Sequence, residues 1–336
     1  MYLQYTYNVT TNMYLQCTYN VTTNMYLQCT YNINTNMYLQ CTYRYVPYLY
    51  LHSKKKRTFV LYFTSLNNKN MTLVLSVINF KGGVGKTTTA TNLASCLTAQ
   101  GKKVLVIDMD AQGNVGMSVG INVYQEGLLT IGDVLATTSV KIEQCIIKNP
   151  YFDVIPNNLY TYLKTNKRAS YDILTDALEG IKKKYDFIII DTPPSIEFYT
   201  CNAILASDMM LIVTDYSKFS VEGVKILMSV FDGMQGKVAS KLKHSPRAIL
   251  FTMYKNTSTF KALTTAIEKQ THLGLFLDVK IPSSADVGRS PYQGVPVSQL
   301  KKKTNTVRDA YQELAVDMID FVAKKQIYNS KYHVNF

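Results

Sequence analysis

Residues 73–88 read Leu73-Val-Leu-Ser-Val-Ile78-Asn-Phe-Lys81-Gly82-Gly83-Val84-Gly85-Lys86-Thr87-Thr88. The apolar, β-branched run Leu73–Ile78 is the pattern of a strand buried on both faces of a parallel sheet. A helical pattern follows through Leu93, Ala94 and Leu97 and stops at Gly101. Strand, glycine loop, helix is the context in which such a loop binds phosphate. Gly82, Gly83 and Gly85 let the backbone curl, so that its N–H groups and the helix N-terminus face an anion. Lys86 is placed to reach the β- and γ-phosphates of a nucleotide, and the Thr87 hydroxyl to ligate Mg²⁺. A glycine turn with no ligand is the plainer alternative.

Two more strand-like runs end in carboxylates: Val104-Leu-Val-Ile-Asp108-Met-Asp110-Ala-Gln112-Gly-Asn and Phe187-Ile-Ile-Ile-Asp191-Thr192-Pro193-Pro194. Asp191 at the end of its strand reaches Mg²⁺ through water beside Thr87. Asp108 and Asp110, two apart at a strand end, can point the same way. They could equally cap a loop. Further strands are expected at 152–155, 210–213, 248–252 and 277–281. Helices are expected at 170–183, 195–206, 220–234, 259–271 and 306–324. This alternation predicts an α/β domain, a mostly parallel central sheet with helices on both faces, running from 71 to 336.

Residues 1–70 are a different kind of sequence. MYLQYTYNVTTN at 1–12 recurs with single changes at 13–24 and 25–36, and as MYLQCTYR at 37–44. Each change is reachable by one base substitution, which reads as recent duplication of a 36-nucleotide unit. The alternation is strand-like, but the copies lack the Gly, Pro or Asp that would turn a solenoid. We expect 1–70 to be disordered, or upstream repeat DNA read as protein, with the native start at Met71. Lys54-Lys55-Lys56-Arg57 reads as a solvated linker.

Charge follows the same division. The chain of 336 residues carries 36 Lys+Arg and 23 Asp+Glu, and 1–70 hold six of the basic residues and none of the acidic ones. The six cysteines have no CxxC spacing, which argues against a disulfide framework or a zinc or iron–sulfur site. No run of 18 apolar residues and no signal-peptide pattern occurs, so a cytoplasmic protein is expected.

Lys81, a second lysine at the start of the loop, is the informative departure from the common P-loop. With the Asp108–Asn114 and Asp191–Pro194 segments it resembles the deviant Walker A ATPases of the ParA/MinD family, over roughly Leu73–Val322 and in family order. The resemblance implies ATP and Mg²⁺ as cofactors, held by Gly82, Gly83, Val84, Gly85, Lys86, Thr87 and Thr88. It implies Thr87, Asp108 and Asp191 on the metal side and Asp110 orienting the attacking water. Lys81 would reach the phosphates of a partner subunit, making the catalytic set Lys81, Lys86 and Asp110; without the resemblance it is a solvent-facing lysine. Met253 and Pro282, at the ends of two late strands, would line the adenine pocket.

Within the family, cysteine motifs for a nitrogenase iron protein are missing, and a bacterial tyrosine kinase would carry its tyrosines at the other end. The segment Ile281-Pro282-Ser283 through Gly288-Arg289 to Gly294-Val295-Pro296-Val297, and Phe219–Gly223, resemble the ParA/Soj partition branch. That implies an ATP-dependent homodimer that binds DNA without sequence preference and answers to a centromere-binding ParB-type partner. Such a protein would be cytoplasmic and nucleoid-associated, with no membrane binding expected. Arg289, Lys241 and Lys243 are the candidate DNA contacts, from a basic group that also includes Lys237, Arg247 and Lys302. A MinD-like membrane positioning ATPase is the alternative, because the tail after Lys324 is basic, though short and poorly periodic.

Overall fold

The computed structural model describes residues 72–163, 170–215, 218–258, 260, 275–302 and 304–328, with six strand segments of residues 1–71. The chain divides into two units, Thr72–Met318 and Met1–Met71 with Ile319–Phe336.

In the smaller unit the strands are β1 (Tyr2–Val9), β2 (Tyr14–Thr18), β3 (Tyr26–Ile33), β4 (Tyr38–Thr42), β5 (Leu49–Ser53) and β6 (Leu61–Phe63). They form two parallel three-stranded sheets, β1-β3-β5 and β2-β4-β6. Tyr2 pairs with Tyr26 and Tyr14 with Tyr38, so alternate copies of the repeat lie side by side, 24 residues apart.

The larger unit is built on a seven-stranded sheet in which every strand pair is parallel. Its strands are β7 (Leu73–Ile78), β8 (Val104–Asp108), β9 (Asp153–Ile155), β10 (Phe187–Asp191), β11 (Met209–Asp215), β12 (Arg247–Tyr254) and β13 (Leu275–Pro282). Their spatial order is β13-β12-β11-β7-β10-β8-β9. Every residue of β7, β8 and β10 is buried, which is why these strands read as unbroken apolar runs.

The helices are α1 (Lys86–Ala99), α2 (Asn114–Ser118), α3 (Ile131–Ala136), α4 (Leu159–Tyr162), α5 (Ile173–Leu178), α6 (Phe198–Ala206), α7 (Lys218–Asp232), α8 (Gly236–His244), α9 (Asp286–Arg289) and α10 (Thr306–Tyr328). Val74 and Ile78 join cores shared with Leu135, Leu174, Ala203, Leu227 and Leu242, drawn from α3, α5, α6, α7 and α8. Leu73, Leu75 and Val77 alternate with them and are equally buried, so they are covered from the other side. There α1 packs on β7, β8 and β10, and Tyr311 of α10 meets Thr89 of α1 at 3.1 Å. Helices thus lie on both faces.

Several boundaries differ from the sequence reading. The helix expected at 170–183 is only α5, followed by a short 3₁₀ turn at Lys182–Lys184. The helix expected at 195–206 begins at Phe198, after the two prolines. Helices α3 and α8, of six and nine residues, were not anticipated. The helix expected at 259–271 lies outside the described residues. Among the described residues no helix is long and apolar enough to cross a membrane, and Cys96, Cys145 and Cys201 are free and buried.

Candidate functional site

The glycine loop leaves the end of β7 and turns into α1. Gly83 and Gly85 adopt φ of 75° and 89°, left-handed conformations that a side chain would resist. Gly85 is the residue before the helix, and no side chain caps the first turn of α1. Its N–H groups therefore face the loop without a side-chain acceptor, the arrangement that suits an anion. Gly101, at φ 77°, ends the helix by donating its N–H to Thr98 O at 2.9 Å.

Three polar side chains brace this loop. Asn79 donates to Val213 O at 2.7 Å and accepts from Lys81 N at 2.9 Å. Thr252, near the end of β12, donates to Val84 O at 2.8 Å. Asp215, at the end of β11, holds Lys81 Nζ at 2.8 and 3.0 Å. None of the three stands in a motif. Their signal in the sequence is only that each is a polar residue at or just past a strand end.

Asp191 is fully buried at the end of β10, and Thr87 Oγ1 donates to its Oδ2 at 2.6 Å. Its other oxygen is buried and has no hydrogen-bond partner. Burial pushes the Asp191 carboxyl up to about 7, opposed by the Thr87 hydrogen bond and by Lys86. A desolvated carboxylate with one uncommitted oxygen beside a hydroxyl is costly unless a cation arrives. These residues fit Mg²⁺, a hard cation that takes oxygen ligands. Lys86 is buried, donates to Lys81 O at 3.2 Å, and is lowered from the ordinary lysine range by burial, against the pull of Asp191 and Asp110.

Asp108 and Asp110 separate in role. Asp108 is fully buried and accepts Asp110 N on Oδ1 and Val115 N on Oδ2, both at 3.0 Å. Each of its oxygens accepts a backbone N–H, and these bonds hold the turn between β8 and α2. Burial and the neighbouring Asp191 push it well above the carboxylate range. Asp110 is partly exposed and accepts Gln112 N at 3.0 Å.

Met253 and Pro282 stand on adjacent strand ends, where Tyr254 pairs with Pro282. Met253 is half-exposed with φ of 56°, an uncommon backbone for a side chain of its size.

The basic group is dispersed. Arg289 is exposed on α9, Lys241 lies partly exposed on α8, and the Lys243 side chain is outside the described residues. Lys237 pairs with Asp172 and Lys302 with Asp286. Arg247 is partly buried, donates to Leu242 O at 2.7 Å and lies over the Phe231 ring.

Known proteins resemble this chain. A family model described as an AAA domain matches residues 72–244. The chain is 34% identical over 255 residues to the chromosome partitioning protein ParA of Caulobacter vibrioides, covering 73% of this chain and 93% of that one. It is 32% identical over 252 residues to the chromosome-partitioning ATPase Soj of Treponema pallidum, covering 73% and 96%. The septum site-determining protein MinD of Pyrococcus horikoshii, solved with Mg-ADP, has the same fold at a TM-score of 0.59 and 23% identity, over 75% and 99% of the two chains. A braced glycine loop, a buried strand-end aspartate and relatives spanning nearly their whole length lead to one conclusion: the chain belongs to the ParA/MinD family of P-loop ATPases.

Proposed function

We propose that this chain is a partition ATPase that binds ATP with Mg²⁺, pairs with a second copy around the nucleotide, and holds DNA without sequence preference. It releases DNA when a centromere-binding ParB-type partner stimulates hydrolysis, in a cytoplasmic, nucleoid-associated setting. The observation that carries the reading is the uncommitted, buried Asp191 oxygen beside Thr87 at the foot of the glycine loop. The partition relatives ParA and Soj support the cellular role, and MinD with Mg-ADP supports the cofactor pair.

Each residue has a task. The loop amides and the start of α1 bind the phosphates, and Lys86 supplies a fixed charge against them. Thr87 and Asp191 hold the metal, whose bound charge would offset that of the β- and γ-phosphates. Asp110, partly exposed at the turn that Asp108 ties down, positions the attacking water. Lys81 acts across the dimer, and Met253 and Pro282 flank the base.

The test has two arms. Lys86→Ala should abolish ATP binding; retained micromolar affinity would count against the loop's role. Duplex DNA should bind strongly with ATP and weakly with ADP, since pairing places two modest basic surfaces side by side. Arg289→Ala should lower the slope of log K against log salt by about 0.9. Equal, salt-insensitive binding with both nucleotides would refute the DNA mechanism. Capture by anionic liposomes alone would favour membrane positioning.

A further inference from the structure

The strand ends opposite the glycine loop enclose a cavity of about 450 Å³, lined by Thr98, Lys102, Lys103, Lys148, Lys184 and Tyr185 among others. Lys102 and Lys103 immediately precede β8, and Tyr185 comes two residues before β10. Val104 and Asp108 stand at opposite ends of β8, about 13 Å apart at the usual rise of a strand. The cavity is therefore separate from the nucleotide edge.

Four lysines line it, and the nearby carboxylates are largely committed. Asp153 takes Lys148 at 2.5 Å and the Tyr185 hydroxyl at 2.6 Å. Glu143 stands 3.9 Å from Lys184. Asp186 accepts the Lys103 backbone N–H at 2.7 Å. Among the described residues, neither the Lys102 nor the Lys103 ammonium forms an ion pair.

We propose that this cavity is a second anion site, which takes a small phosphate-bearing ligand. Lysines supply point charges to such a group, and charge-assisted hydrogen bonds are the strong ones. The volume suits a ligand of mononucleotide size, within the roughly 300–1,000 Å³ of small-molecule sites. The concave lining favours a discrete ligand over the backbone of a duplex.

Titration calorimetry tests this with inorganic pyrophosphate on the full chain at low salt, its glycine loop first saturated with ADP. One further site should appear, weakening as salt rises. Lys102→Gln with Lys103→Gln should cut its affinity at least tenfold while ADP binding is unchanged. No binding beyond the loop, or equal binding in the double lysine variant, would overturn the site. So would a double variant that keeps pyrophosphate but loses duplex DNA, which would assign the lysines to a DNA surface.

Discussion

Lys81 Nζ lies 2.8 Å from Asp215 Oδ2 and 3.0 Å from Oδ1, an ion pair between residues 134 positions apart in the same chain. The lysine proposed to serve a partner's phosphates is thus held inside its own subunit. Pairing of two copies must exchange Asp215 for phosphate, and Asp215 sets the cost of that exchange.

Asp215→Asn should lower this cost. The Lys81 side chain is 40% exposed, so the pair is worth at most about 1 kcal/mol. Two such pairs are released per dimer, so ATP-dependent dimerisation should appear at protein concentrations up to about thirtyfold lower, as read by sedimentation velocity. A shift to higher concentration would show that Asp215 positions Lys81 for the dimer instead of restraining it.

Asp191→Asn should separate stability from turnover. The wild-type carboxyl is raised to about 7 by burial. In EDTA without nucleotide its stabilising contribution is therefore complete below about pH 4 and is lost as pH rises through about 7. Stability of the wild type should fall across that window, and the Asn variant should lack this component. At pH 8 the variant should melt higher, by on the order of 1–3 kcal/mol, while Mg²⁺-dependent hydrolysis drops at least a hundredfold. Thermal melts at several pH values and a phosphate-release assay check both halves.

Asn79→Ala should loosen the loop from beneath. It strands the buried Val213 carbonyl and the Lys81 N–H, at a cost of about 1–3 kcal/mol. ATP affinity should fall with stability, because the loop loses its tie to β11. Unchanged urea unfolding would exclude this bracing role.

Gly113→Ala should be more damaging than its exposed neighbours suggest. Gly113 has φ of 69°, and a Cβ there would stand 2.8 Å from Asn157 O and 2.9 Å from a Val123 methyl. The left-handed backbone and a backbone clash together predict about 2–4 kcal/mol of destabilisation. Because Gly113 N donates to Asp110 O at 3.1 Å, hydrolysis should fall more than ATP binding does. Equal losses of both would place Asp110 outside the chemical step.

The strands and the loop were legible because their cause is local: Leu73–Ile78 and Phe187–Asp191 are buried on both faces, so their composition declares them. The braces were not. Asn79 finds its acceptor in Val213, and Thr252 finds Val84, partners 134 and 168 residues away. Nothing near a polar residue in sequence announces a contact across three neighbouring strands. Asp108 shows a subtler limit: its bonds to the Val115 and Asp110 N–H groups belong to a turn visible only once folded. Arg247 was read as surface charge because its carbonyl partner and the Phe231 face come together only in the packed sheet.

The place of β7 in the sheet bears on how the protein is made. Leu73 pairs with Phe187 and Leu75 with Met209, so the central strand has no neighbour until more than a hundred further residues have been synthesised. At about 5–20 residues per second the ribosome leaves this apolar segment waiting for several seconds. Parallel pairings of such long sequence separation form slowly. Nascent chains truncated before Phe187 should therefore expose β7 and recruit a holdase, and full-length chains should not.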